Sequence, residues 1–115
     1  MTIARCFIPI ILSLNMVNIQ WSTQTIELGS IAYDSTVNTQ IWAVNKSEQT
    51  WEIENIQSGC GCISTLESNK LIAVGDTFKL KLRFKPQKKG IQQKSIVVYS
   101  NLGLFEIWLK ADVKN

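Results

Sequence analysis

From Thr25 onward, apolar and polar residues alternate with period two along most of the chain. The alternation is strict between Thr77 and Lys85, with Phe78, Leu80, Leu82 and Phe84 on one side and Lys79, Lys81, Arg83 and Lys85 on the other. Successive side chains of a strand leave on opposite faces, so this spacing predicts a strand with one buried face. Pro86, which has no backbone donor, ends it. Val37 to Asn45 and Leu104 to Val113 repeat the pattern, and Ser95 to Tyr99 carries the β-branched and aromatic cluster Ile96, Val97, Val98, Tyr99. Trp51 to Glu54 alternates until Ile56 breaks phase, which predicts a bulge or bend. Shorter strands are expected at Thr25 to Leu28 and around Lys70 to Ala73.

Turn-forming clusters separate these runs: Leu28-Gly29-Ser30, Asn45-Lys46-Ser47-Glu48, Val74-Gly75-Asp76, Lys88-Lys89-Gly90 and Asn101-Leu102-Gly103. Short strands at regular spacing with no helical stretch between them predict an all-β fold. Connections this short cannot cross over between neighbouring parallel strands, so the expectation is an antiparallel β-sandwich of about seven strands, immunoglobulin-like in architecture.

The first residues follow another rule. Arg5 precedes an apolar run from Cys6 to Ile19, the layout of a secretory leader and too short to span a bilayer. The organisation expected is a signal peptide over residues 1–22, with its cleavage site undefined, and a β-sandwich domain over 25–114. A retained anchor and a buried N-terminal strand are the less favoured readings. The expected location is outside the cytoplasm, in the periplasm or at the cell surface, with no transmembrane helix in the mature chain.

Composition narrows the chemistry. The 115 residues are 45% hydrophobic and 18% charged, as in an ordinary folded domain, and the net charge of +3 is too small to argue for nucleic acid. Histidine is absent, which removes the commonest general base and metal ligand and any Cys-His or Ser-His-Asp centre. The nine carboxylates are scattered, and no glycine loop of the phosphate-binding kind is present. No enzymatic activity and no cofactor are expected.

Two features remain as candidate sites. Ser58-Gly59-Cys60-Gly61-Cys62 places two thiols on one face of an extended chain, with Cα atoms near the upper limit for a disulfide unless Gly61 bends the backbone. Cys60 and Cys62 can form a local disulfide, pack as small apolar residues, exchange with a partner thiol, or together bind a soft ion such as Cu(I). A closed zinc site would need two further ligands. The second feature is a surface. Lys79, Lys81, Arg83 and Lys85 form a basic row, and Trp42 and Trp108 lie opposite the apolar stripes of their strands. Lysines on an outward face also serve solubility and guard sheet edges, and the tryptophans can equally be buried by a second layer.

These segments resemble a known family. Ile26-Glu27-Leu28-Gly29-Ser30-Ile31, Ile41-Trp42-Ala43-Val44-Asn45-Lys46-Ser47, Trp51 to Cys62, Ile72-Ala73-Val74-Gly75-Asp76 and Phe84-Lys85-Pro86 through Gly90 are similar, in order and spacing, to the motifs of the bacterial domain of unknown function 1573. That domain is a relative of the ASH and HYDIN-type immunoglobulin-like domains. Val74 replaces the family's usual proline and Ile63 its usual threonine. The resemblance spans Thr25 to Val113; it implies the immunoglobulin-like fold and no particular activity. The function expected is that of a non-enzymatic module with a protein-contact or structural role in the bacterial cell envelope, its partner another envelope protein. The alternative is thiol-redox or copper chemistry at Cys60 and Cys62.

Overall fold

The computed structural model describes residues 18–115. The expected leader therefore lies outside the described residues up to position 17, together with Arg5 and Cys6. The described residues form nine strands and no helix: β1 (Ile19–Trp21), β2 (Thr25–Ala32), β3 (Val37–Asn45), β4 (Trp51–Ser58), β5 (Ile63–Glu67), β6 (Leu71–Ile72), β7 (Thr77–Phe84), β8 (Gly90–Ser100) and β9 (Gly103–Lys114). They pack as a sandwich of a four-stranded sheet, β1-β3-β7-β5, and a five-stranded sheet, β2-β9-β8-β4-β6.

The alternation decides which side chains fill the space between the sheets. Phe78, Leu80, Leu82 and Phe84 of β7 are buried to 1% exposure or less, against Ile96, Val98, Ile107 and Leu109 of the facing sheet. At one end Trp21, Trp51, Phe78 and Phe105 make an aromatic cluster. Trp21 stands edge-on to Trp51, with ring centres 5.8 Å apart.

Three details depart from the sequence expectation. First, the sheet starts at Ile19: β1 pairs antiparallel with β3, and Trp21 packs on the core. The folded unit thus reaches back into the 1–22 segment. Three residues are too few to show a period, and Ile19 reads as the tail of the apolar run. Second, β2 runs through Leu28-Gly29-Ser30, which had the look of a turn. It accommodates an extra residue there as a bulge, with Gly29 at φ +69°, a conformation that suits glycine. Third, β2 pairs parallel with β9. The short-connection argument governs neighbouring strands, whereas β2 and β9 are joined through the whole of the intervening domain. The phase break in β4 is a bulge between Ile53 and Asn55.

Two asparagines tie the loops to the sheets. Fully buried Asn45 donates from Nδ2 to the carbonyls of Gln49 and Ile72 (2.9 Å each) and accepts at Oδ1 from the Ser47 N–H and hydroxyl (3.0 and 2.7 Å). Every polar atom of this buried amide is thereby satisfied, as burial requires. Asn101 accepts from the Glu52 N–H (2.7 Å) and donates to the Thr50 carbonyl (2.9 Å), which fixes the β8–β9 hairpin against β4.

Candidate functional site

The two candidate features meet at one corner of the sandwich. Because β4 belongs to the five-stranded sheet and β5 to the four-stranded one, Gly59 to Cys62 carry the chain from one sheet to the other. Cys60 and Cys62 are joined as a disulfide, with Cα atoms 5.1 Å apart. Cys62 is buried in the core cluster and Cys60 is half-buried against it. The Ser58 hydroxyl donates to the Cys60 carbonyl (2.9 Å), and the Lys85 N–H donates to the Cys62 carbonyl (2.9 Å), which clamps the corner to the end of β7.

The bend needs no left-handed glycine. Neither Gly59 nor Gly61 has positive φ, and no atom lies within 4 Å of where a Cβ would stand on either. As bonded, the pair offers no thiolate to a soft ion. Among the described residues, no three of His, Cys, Asp and Glu gather into a set that could hold a metal ion.

Beyond Lys85 the basic row rises onto the outer face of the four-stranded sheet. Lys79, Lys81 and Arg83 are exposed, at alternate positions that repeat about every 6.8 Å along β7. The register sets Trp42 beside Lys79, Gln40 beside Lys81 and Asn38 beside Arg83 on one flank, with Leu66 and Ser64 on the other. Trp42 is 44% exposed. Arg83 Nε donates to Asn38 Oδ1 (3.2 Å). The one ion pair among the described residues joins Lys114 to Asp112 (2.9 Å), so none of these four cations is neutralised by a salt bridge.

Small side chains between the long ones leave a shallow groove of about 570 Å³, lined by Asn38, Gln40, Ser64, Leu66, Lys81 and Arg83 among others. A second trough of about 410 Å³ continues past Lys81 to Lys79 and Ser68, with Glu67 at its rim.

β7 lies inside its sheet, between β3 and β5. Its lysines therefore guard no edge; the edge strands β1 and β5 carry no lysine at all. Trp108, by contrast, does not join this surface. It is half-buried on the outer face of the five-stranded sheet, paired with Ser95 and Thr25. The two tryptophans point away from each other across the sandwich and cannot form one contact surface. Periodicity places each opposite its own apolar stripe but carries no information on which sheet a strand joins. Sequence reasoning also missed the small residues Ser64 and Asn38, which open the groove and have no chemical signature of their own.

The motif order noted above extends over the fold. The sequence pattern of the family described as protein of unknown function, DUF1573, matches residues 19–113. The chain belongs to this family. The DUF1573 match begins at Ile19, the first residue of β1. No curated protein shows significant similarity to the chain.

Among solved structures, a protein of unknown function from Porphyromonas gingivalis W83 superposes with a TM-score of 0.75 at 14% identity, covering 84% of this chain and 46% of that one. The ASH / PapD-like domain of human CEP192 gives 0.68 at 10% identity, covering 88% of each chain. The secreted serine protease VesC from Vibrio cholerae gives 0.66 at 11% identity, covering 97% of this chain and 26% of that one. The chain spans less than half the length of the Porphyromonas and Vibrio proteins. At these identities the likeness is one of fold, the immunoglobulin-like sandwich, and it is shared by proteins of unlike activity.

Proposed function

We propose that this DUF1573 protein is a non-catalytic contact module of the bacterial cell envelope, which binds another envelope protein through the outer face of its four-stranded sheet. The observation that carries this reading is the row Lys79, Lys81, Arg83 and Lys85. Its first three members lie on an interior strand, beside the exposed Trp42 and over an open groove, and none of the four has a salt-bridge partner. Cations left unpaired on one face create a field that draws and orients an acidic partner, and an aromatic ring beside them is the residue type enriched where proteins meet.

Export to the periplasm or cell surface is part of the proposal. It is supported by the leader-like first residues and by a disulfide, a bond that persists in oxidising compartments. In this reading Cys60 and Cys62 serve the fold: they fix the turn between sheets and, through Lys85, the end of the basic strand.

The test is capture from a solubilised envelope fraction with wild-type protein and with Lys81→Glu/Arg83→Glu. A protein retained by the first and lost by the second supports the reading; equal retention by both ends it.

A further inference from the structure

The two outer faces of the sandwich carry opposite charge, and each leaves large apolar side chains open to solvent beside that charge. On the four-stranded sheet, Lys79, Lys81 and Arg83 run between Trp42 on one flank and Leu66 on the other, which are 44% and 64% exposed. On the five-stranded sheet, the end nearest the β8–β9 hairpin presents Glu52, Glu54 and Glu106, all exposed, together with Leu104 and Leu71, 65% and 62% exposed. Half-buried Tyr99 lies between these two leucines, paired with Leu104 on one side and Asn55 on the other.

The cations of this second face stand elsewhere. Lys110 sits opposite Glu27 farther along β9, Lys114 is taken up by Asp112, and Lys70 only borders the patch at the start of β6. A single exposed leucine is ordinary on a monomer. Two faces that each set exposed apolar side chains beside charge, the charge of opposite sign, complement each other in both charge and apolar character.

We infer that the basic face binds the acidic face of a second copy of this chain. The inference rests on the basic face being a contact face and names its partner. Such a contact is heterologous, since the surface used on one copy differs from that used on the next. The faces lie on opposite sides of the sandwich, so a copy bound through one keeps the other free, and copies stack head to tail. Trp42 and Leu66 against Tyr99, Leu104 and Leu71 supply the apolar contacts. The charges fix polarity: turning one copy over sets lysine against lysine or glutamate against glutamate, which repels.

Sedimentation of the purified protein tests this, with Lys79→Glu/Lys81→Glu and Glu54→Lys/Glu106→Lys as the two face reversals. At low salt the wild-type mass rises with concentration past that of a dimer. It falls back to a single chain at about 1 M salt, where charges are screened beyond about 3 Å. Each double variant alone stays a single chain, with thermal unfolding unchanged. An equimolar mixture associates again, because the native acidic face of one variant meets the native basic face of the other.

A wild-type protein that remains a single chain at every concentration, a mass that stops at the dimer, or association that survives in either variant alone overturns the inference. A single-chain wild type that still captures an envelope protein through Lys81 and Arg83 removes this inference and leaves the contact function standing.

Discussion

The Cys-Gly-Cys corner and the outer face of β7 lie side by side, linked by the hydrogen bond from the Lys85 N–H to the Cys62 carbonyl. In the sequence the corner holds the conspicuous chemistry and the lysine row looks like a solvated strand face. In the fold their weights change places. The sulfurs are bonded to each other and packed on the core, where they staple a passage between sheets. Lys79, Lys81 and Arg83 stand on an interior strand over a groove, with no salt-bridge partner. The proposed contact accordingly lies at charge left without a salt-bridge partner and not at the reactive residue types.

That contrast can be broken from either side. The largest effect belongs to the packing beneath the corner. Phe84, paired with Ile63 and buried to 1%, should cost about 3–5 kcal/mol on replacement by alanine, read by denaturant unfolding. A loss of under about 1 kcal/mol would mean that the corner is not built on the core.

At the far end of the sandwich, Trp21→Ala should cost about 3 kcal/mol, and a chain beginning at Thr23 should lose at least as much relative to one beginning at Asn18. Equal stability of the two truncated chains would contradict the packing of β1. Reduction of the disulfide comes next. It closes so small a loop that chain entropy accounts for about 1.5 kcal/mol, a fall of several degrees in Tm on adding reductant. Smallest is Gly61→Ala, expected within about 0.5 kcal/mol of wild type because the site has ordinary φ and open space. A large loss there would show that the turn itself, rather than the bond across it, needs glycine.

Much of the fold was legible because long strands advertise their faces. β7 shows four apolar residues at alternate positions and β9 five, and β3 alternates with only Thr39 interrupting its apolar row, so most of the buried set follows directly. What escaped was short or non-local. β1 has three residues, and β5 reads Ile-Ser-Thr-Leu-Glu, too polar to stand out between the cysteines and β6. The parallel β2–β9 pair joins residues some eighty positions apart, and no local pattern encodes it. The candidate surface was half legible. The basic row and Trp42 were visible as residues, but their union on one face, and the exclusion of Trp108 from it, depend on which strands share a sheet. Asn45 and Asn101 looked like turn residues, whereas their amides bridge separate elements.

The central claim is that contact runs through one face of the four-stranded sheet, and the most direct measurement compares two charge reversals of equal size. Lys81→Glu/Arg83→Glu alters the proposed face; Lys46→Glu/Lys70→Glu alters two exposed lysines away from it, in the β3–β4 loop and just before β6. Both pairs should leave stability within about 1 kcal/mol of wild type, as expected for surface substitutions. Binding to the captured envelope partner, measured as an equilibrium dissociation constant, should weaken at least about tenfold for the first pair, the equivalent of about 1.4 kcal/mol, and stay unchanged for the second. Equal weakening by both pairs would reduce the effect to net charge, and no weakening by the first would remove the face from the account.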